Sequence, residues 1–94
     1  MKNQTYSYPL DPEWTTDEIT TVINFFRAVE DAYEVGISRD KFLSCYRAFQ
    51  GVAGSKMGEK RLGRQFADAS GYEFYPLVKL AQNSASKTIK MVGD

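Results

Sequence analysis

Three cations recur every fourth residue in "SKMGEKRLGRQF": Lys56, Lys60 and Arg64, with Arg61 beside them. On a helix they form one stripe, and a basic stripe is suited to phosphate oxygens. The opposite charge gathers upstream. Between Thr15 and Gly36, Asp17, Glu18, Glu30, Asp31 and Glu34 stand against Arg27 alone. An acidic helix beside basic ones also makes a plain intramolecular pairing, so the stripe carries two readings. Over the whole chain 12 Lys+Arg balance 12 Asp+Glu, and no net field draws in a polyanion.

The other reactive types are few. Cys45 is the single cysteine and there is no histidine, which excludes an internal disulfide, a Cys–His nucleophile and a zinc site of the usual Cys/His ligands. Cys45 shares a helix face with Phe42 and Phe49, where a thiol acts as a small hydrophobe. Asp17/Glu18 and Glu30/Asp31 are sequence neighbours and diverge around a helix, while Glu30 and Glu34 share a face that reads as solvated. "GVAGSKMGEK" places glycines and Ser-Lys ahead of a helix but lacks the phosphate-loop order and a leading strand. The chain is therefore expected to carry no catalytic residue, no metal and no cofactor.

The third feature is aromatic. In "YSYPLDPEW", Tyr6, Tyr8 and Leu10 alternate with Ser7, Pro9 and Asp11, and Pro9 favours extended backbone. Tyr6, Tyr8 and Trp14 offer a partner surface, since such rings are enriched at interfaces. They serve equally as a roof over the core. Trp14 precedes Thr15 and lies five residues before Ile19, the positions of a hydrophobic staple, which favours the roof.

The elements that must position these groups are helical. Thr15 and Glu18 have capping-box spacing, and Ile19, Val22, Ile23, Phe26, Val29 and Tyr33 trace an apolar stripe towards a stop at Gly36, giving a helix over about 16–35. A second opens at Ser38, carries Phe42, Cys45, Tyr46 and Phe49 inward, and fades in "QGVAGS". Ser55 caps a third, through Ala69, with a narrow stripe of Leu62, Phe66 and Ala69. Gly58 and Gly63 weaken it by about 1 kcal/mol each, so it needs tertiary support. The fourth starts near Glu73 or Phe74, with Pro76 in its first turn. From Ser84 the pattern lapses, and residues 85–94 read as a frayed tail. The fold class is all-α: a compact bundle of about four helices with an extended aromatic N-terminal arm over 1–14, one domain across 1–94. Neither a signal peptide nor an apolar run of membrane-spanning length is evident, which suggests the cytoplasm.

"YSYPLDPEWTTDEITTVINFFRAVEDAYEVGI", "YRAFQ", "SKMGEK" and "ASGYEFYPLVK", in this order, resemble the small uncharacterised YktA-like family of Gram-positive bacteria. The likeness runs from Tyr6 to about Ala81. It implies a compact multihelical domain and transfers no catalytic residue. Two positions depart from the family's pattern. Gly54 stands where a proline often precedes Ser-Lys, and Gly58 where a second acid is often carried; both read as loosening the start of the third helix. The functional expectation is a non-enzymatic cytoplasmic module for protein–protein interaction, its partner unidentified. The alternative is an RNA- or phosphate-binding accessory factor using Lys56, Lys60, Arg61 and Arg64.

Overall fold

In the computed structural model, which describes residues 6–91, four helices follow the arm: α1 (Thr16–Glu34), α2 (Arg39–Ala53), α3 (Lys56–Ser70) and α4 (Tyr75–Asn83). The all-α expectation holds. The capping box forms as read: Glu18 N–H donates to Thr15 Oγ1 at 3.2 Å, and Thr15 N–H donates to Glu18 Oε1 at 2.9 Å. Ser38 and Ser55 cap α2 and α3 through Lys41 N–H and Gly58 N–H. None of these helices is long and apolar enough to cross a membrane.

Six phenylalanines fill the centre. Phe25, Phe26, Phe42, Phe49, Phe66 and Phe74 are all buried, each helix supplying or abutting at least one. Phe25 stacks on Phe49 with centroids 4.6 Å apart, and Phe26 on Phe66 at 4.3 Å. Phe74 meets Phe25 edge-on at 5.1 Å, a favourable arrangement of ring quadrupoles. It caps α4 from just outside the helix rather than from its first turn. Close neighbours, one ring and one backbone carbonyl, explain the glycines of α3. A methyl at Gly63 would lie 2.6 Å from the Phe74 ring, and one at Gly58 would lie 2.4 Å from the carbonyl oxygen of Ala53. Both glycines let neighbours approach, so α3 exchanges helix propensity for close contact. Gly58 tightens the junction it was expected to loosen. Gly54 holds φ of 80° as the α2 stop, a value that a proline ring forbids.

The chain beyond Ser84 departs from the frayed-tail reading. Ile37–Ser38 (β1) and Thr88–Ile89 (β2) form an antiparallel ladder pairing Ile37 with Ile89 and Ser38 with Thr88. Ile89 is 2% exposed, and Met91 N–H donates to the carbonyl of Ala32 at 2.8 Å. One buried isoleucine and a few backbone bonds hold the segment, too short a pattern to announce itself in sequence. Residues 92–94 of that tail, and 1–5 of the arm, lie outside the described residues.

The arm lies against the helices. Tyr6, Tyr8 and Trp14 are half-buried and pack on the core cluster, as the roof reading expects. Leu10 does not join them and stays exposed, because the chain turns at Asp11, whose carbonyl accepts from Trp14 N–H at 3.1 Å.

Candidate functional site

All six tyrosines of the chain donate their hydroxyls within the structure, five of them to glutamate side chains. Two of the accepting carboxylates lie under the surface. Glu30 is 3% exposed and Glu59 4%. A charge so placed demands hydrogen-bonded compensation, and the tyrosines provide it.

Glu30 projects from α1 beneath the arm and accepts from the hydroxyls of Tyr6 and Tyr8, the latter at 2.9 Å. The Tyr8 ring lies 5.9 Å from that of Phe26 and 6.1 Å from that of Phe66. Ring and hydroxyl together seat the arm on α1 and α3. Glu59 lies in the first turn of α3. Its Oε1 accepts from Tyr46 of α2 at 2.8 Å and from Tyr75 of α4 at 3.2 Å, and its Oε2 accepts from Gln50 at 3.3 Å. Lys56 Nζ stands 3.8 Å from Oε1 and 5.6 Å over the Tyr75 ring. Three helices thus meet at one carboxylate.

The phenols respond in kind. Burial first, then the Glu30 hydrogen bond, holds the Tyr6 hydroxyl well above the usual tyrosine range, and burial with Glu59 does the same for Tyr46. Burial and the Glu59 charge push Tyr75 up to about 12. All three remain donors at neutral pH. Each oxygen of both carboxylates accepts from at least one protein donor, which makes both clusters joints of the fold. Near the end of α1 a weaker version recurs: Tyr72 donates to exposed Glu34 at 2.7 Å, and Tyr33, stacked on Tyr72, donates to the carbonyl of Glu73 at 2.8 Å.

The expected pairing of an acidic helix with basic ones does not form. Among the described residues two ion pairs occur, Arg39–Asp40 at 3.7 Å and Lys56–Glu59. Of the α1 acids, Glu30 and Glu34 accept from phenols instead. Among the described residues the basic stripe is left largely unpaired, and it divides. Lys60, Arg61 and Arg64 line a shallow hollow of about 430 Å³ with Met57, Gln65 and Asp68. Met57 is 80% exposed among them. Lys60 and Arg64 also border a hollow against Tyr75 and Glu73, and Arg61 borders a groove against Tyr8 and Trp14 of the arm. Lys56 turns away to Glu59 and faces a different depression beside Arg39 and Arg47. Cys45 is half-buried beside Ala28, Ile37 and Lys41.

Neither buried glutamate is among the candidate site residues of the sequence. Glu30 lies not on the solvated face that its spacing with Glu34 suggests but within the apolar stripe of α1, four residues after Phe26 and eight after Val22. Glu59 precedes Leu62 and Phe66 by three and seven residues, the same signal on α3. An acid on an apolar stripe in a chain rich in tyrosine is the readable sign.

Residues 5–90 match the model of an uncharacterised protein family, UPF0223. A UPF0223 protein of Listeria monocytogenes serotype 4a is 48% identical over 86 residues, covering 92% of this chain and 96% of the relative. One from Streptococcus thermophilus is 48% identical over 82 residues, covering 87% and 88%, and one from Listeria welshimeri is 45% identical over 86 residues, covering 92% and 96%. The resemblance to a small uncharacterised family of Gram-positive bacteria is borne out.

Proposed function

For this chain, which belongs to the UPF0223 family, we propose the role of a non-enzymatic cytoplasmic interaction module that binds an acidic segment of a protein partner on the outer face of α3. The observation that carries this reading is Met57, 80% exposed and bordered by Lys60, Arg61 and Arg64, none in an ion pair with a described residue. An apolar centre within a basic rim suits a partner that brings a hydrophobic side chain flanked by carboxylates. The face is also rigid, because Leu62 and Phe66 anchor the opposite side of the same helix in the core. The commitment of Glu30 and Glu59 to tyrosine hydroxyls supports a binding role over a catalytic one.

The RNA alternative relies on the same cations and loses Lys56, which is turned to Glu59. No exposed ring stands beside Met57 in that hollow to stack a base. Affinity capture from a bacterial lysate over a salt series separates the two. A protein retained at high salt by the native chain, and lost with Met57→Asp and with Lys60→Glu/Arg64→Glu, supports the proposal. Nuclease-sensitive material that dissociates steeply with salt, with no protein retained, overturns it.

A further inference from the structure

The depression that Lys56 enters differs in charge from the others described. It runs along one face of α2, lined by Arg39, Leu43, Tyr46, Arg47 and Gln50, with Lys56 of α3 and Gln82 of α4 also on its border. Its volume is about 400 Å³, within the range of small-ligand sites. Three cations and two carboxamides line it, and no acid does. The hollows around Lys60 and Arg64 include Asp68, the arm groove includes Asp11, and the one beside Cys45 includes Asp31. Two of the three cations are held in place. Arg39 donates through Nε to the carbonyl of Ala81, and Lys56 is fixed by Glu59 and the Tyr75 ring. Arg47 is exposed and free of any ion pair with a described residue. Two of the cations already face an acid: Asp40, with a 94% exposed side chain, stands 3.7 Å from Arg39, and Glu59, held by its tyrosines, stands 3.8 Å from Lys56.

We propose that this cleft binds a small molecule carrying a di- or triphosphate group. The length of the site argues for more than one phosphate. Arg39 is tied through Nε to α4, Arg47 stands eight residues further along α2, about 12 Å along the axis, and Lys56 comes from α3. Separate phosphoryl groups of a linear oligophosphate can therefore meet all three cations, where one phosphate would need both arginines folded towards each other. Arginine forks and a lysine point charge match phosphate oxygens, and an oligophosphate, unlike a single carboxylate, brings enough charge to compete with exposed Asp40 for Arg39 while engaging Arg47. Lys56 also opens α3, whose positive helix end adds to the local field. The site is separate from the Met57 face, so the two proposals stand or fall independently.

The test is titration of the full-length, isotope-labelled chain with inorganic tripolyphosphate, orthophosphate and acetate at matched ionic strength, read by amide chemical shifts. Tripolyphosphate should saturate, with shifts centred on Arg39, Leu43, Arg47, Gln50, Lys56 and Gln82, and should bind at least about ten-fold more tightly than orthophosphate or acetate. Arg47→Glu should abolish saturation without moving the melting temperature, and Lys60→Glu/Arg64→Glu should leave it intact. Shifts centred on Lys60, Arg61 and Arg64 instead, or equal binding by Arg47→Glu, overturn the proposal. So does a response that chloride at the same ionic strength reproduces.

Discussion

Glu30 and Glu59 pose the same physical problem and solve it with the same partners, yet they hold different things together. Each is a buried carboxylate receiving two tyrosine hydroxyls. At Glu30 both donors come from a short arm that contributes no regular structure, 24 and 22 residues away along the chain. At Glu59 the donors come from α2 and α4, with Gln50 and Lys56 completing the shell. The first cluster pins a flap; the second ties three helices. The same chemistry therefore carries local consequences in one place and global ones in the other.

The contrast can be broken by substitution, beginning where the effect is largest. Glu59→Ala should destabilise the whole fold by about 3–5 kcal/mol, because it leaves buried Tyr46 and its neighbours without an acceptor. Urea unfolding checks this, with the midpoint falling and the slope unchanged. Gly58→Ala, at the same junction, should cost about 2 kcal/mol despite alanine's higher helix propensity. The added methyl meets the backbone at Ala53, so a loss confined to a few tenths would show that the α2–α3 contact gives way easily. Glu30→Ala should cost less, about 1–2 kcal/mol, since half-exposed Tyr6 and Tyr8 can turn to water. Removing one donor sharpens the comparison. Tyr46→Phe should lower stability by about 1–2 kcal/mol and Tyr8→Phe by under about 1 kcal/mol, in thermal or urea unfolding.

Alkali probes both clusters at once. Tyr6, Tyr46 and Tyr75 have pKa values raised in the folded state above 10, the ordinary value, Tyr75 to about 12. A raised tyrosine pKa means that the folded state holds its proton more tightly than the unfolded one. That contribution is complete below about pH 10 and is lost as pH climbs through the folded-state value, so melting temperature should be level from neutrality to about pH 10 and decline above it. Tyrosinate absorbance should rise with unfolding rather than before it. A full tyrosinate signal at pH 10.5 on a still-folded chain contradicts the burial of these hydroxyls.

Much of the frame was legible in the sequence because its signals are local. Thr15 and Glu18 declare a capping box by spacing alone, and Ser55 and Gly36 mark helix limits by residue type. The all-α class follows from the apolar stripes of the helices. What stayed hidden depends on partners distant in sequence. Nothing adjacent to Glu59 says that Tyr46 and Tyr75 converge on it. The two-residue strand at Thr88 was invisible for a similar reason, since its support is Ile37, half a chain away. Gly58 and Gly63 read as weaknesses because propensity is a local quantity, while their use is the approach of Ala53 and Phe74. For the candidate site, Lys60, Arg61 and Arg64 stand together as the spacing implied. Lys56 leaves the stripe because an unsuspected buried carboxylate holds it.

Trp14 is the only tryptophan and sits where the arm meets α1, so its fluorescence reports the flap while far-UV circular dichroism reports the helices. Thermal melts followed by both signals in Glu30→Ala and Glu59→Ala test the division of labour between the carboxylates most directly. In Glu30→Ala the fluorescence transition should precede the loss of helix. In Glu59→Ala the two should coincide at a lower temperature. Coincident transitions in both variants, with equal falls in melting temperature, contradict it.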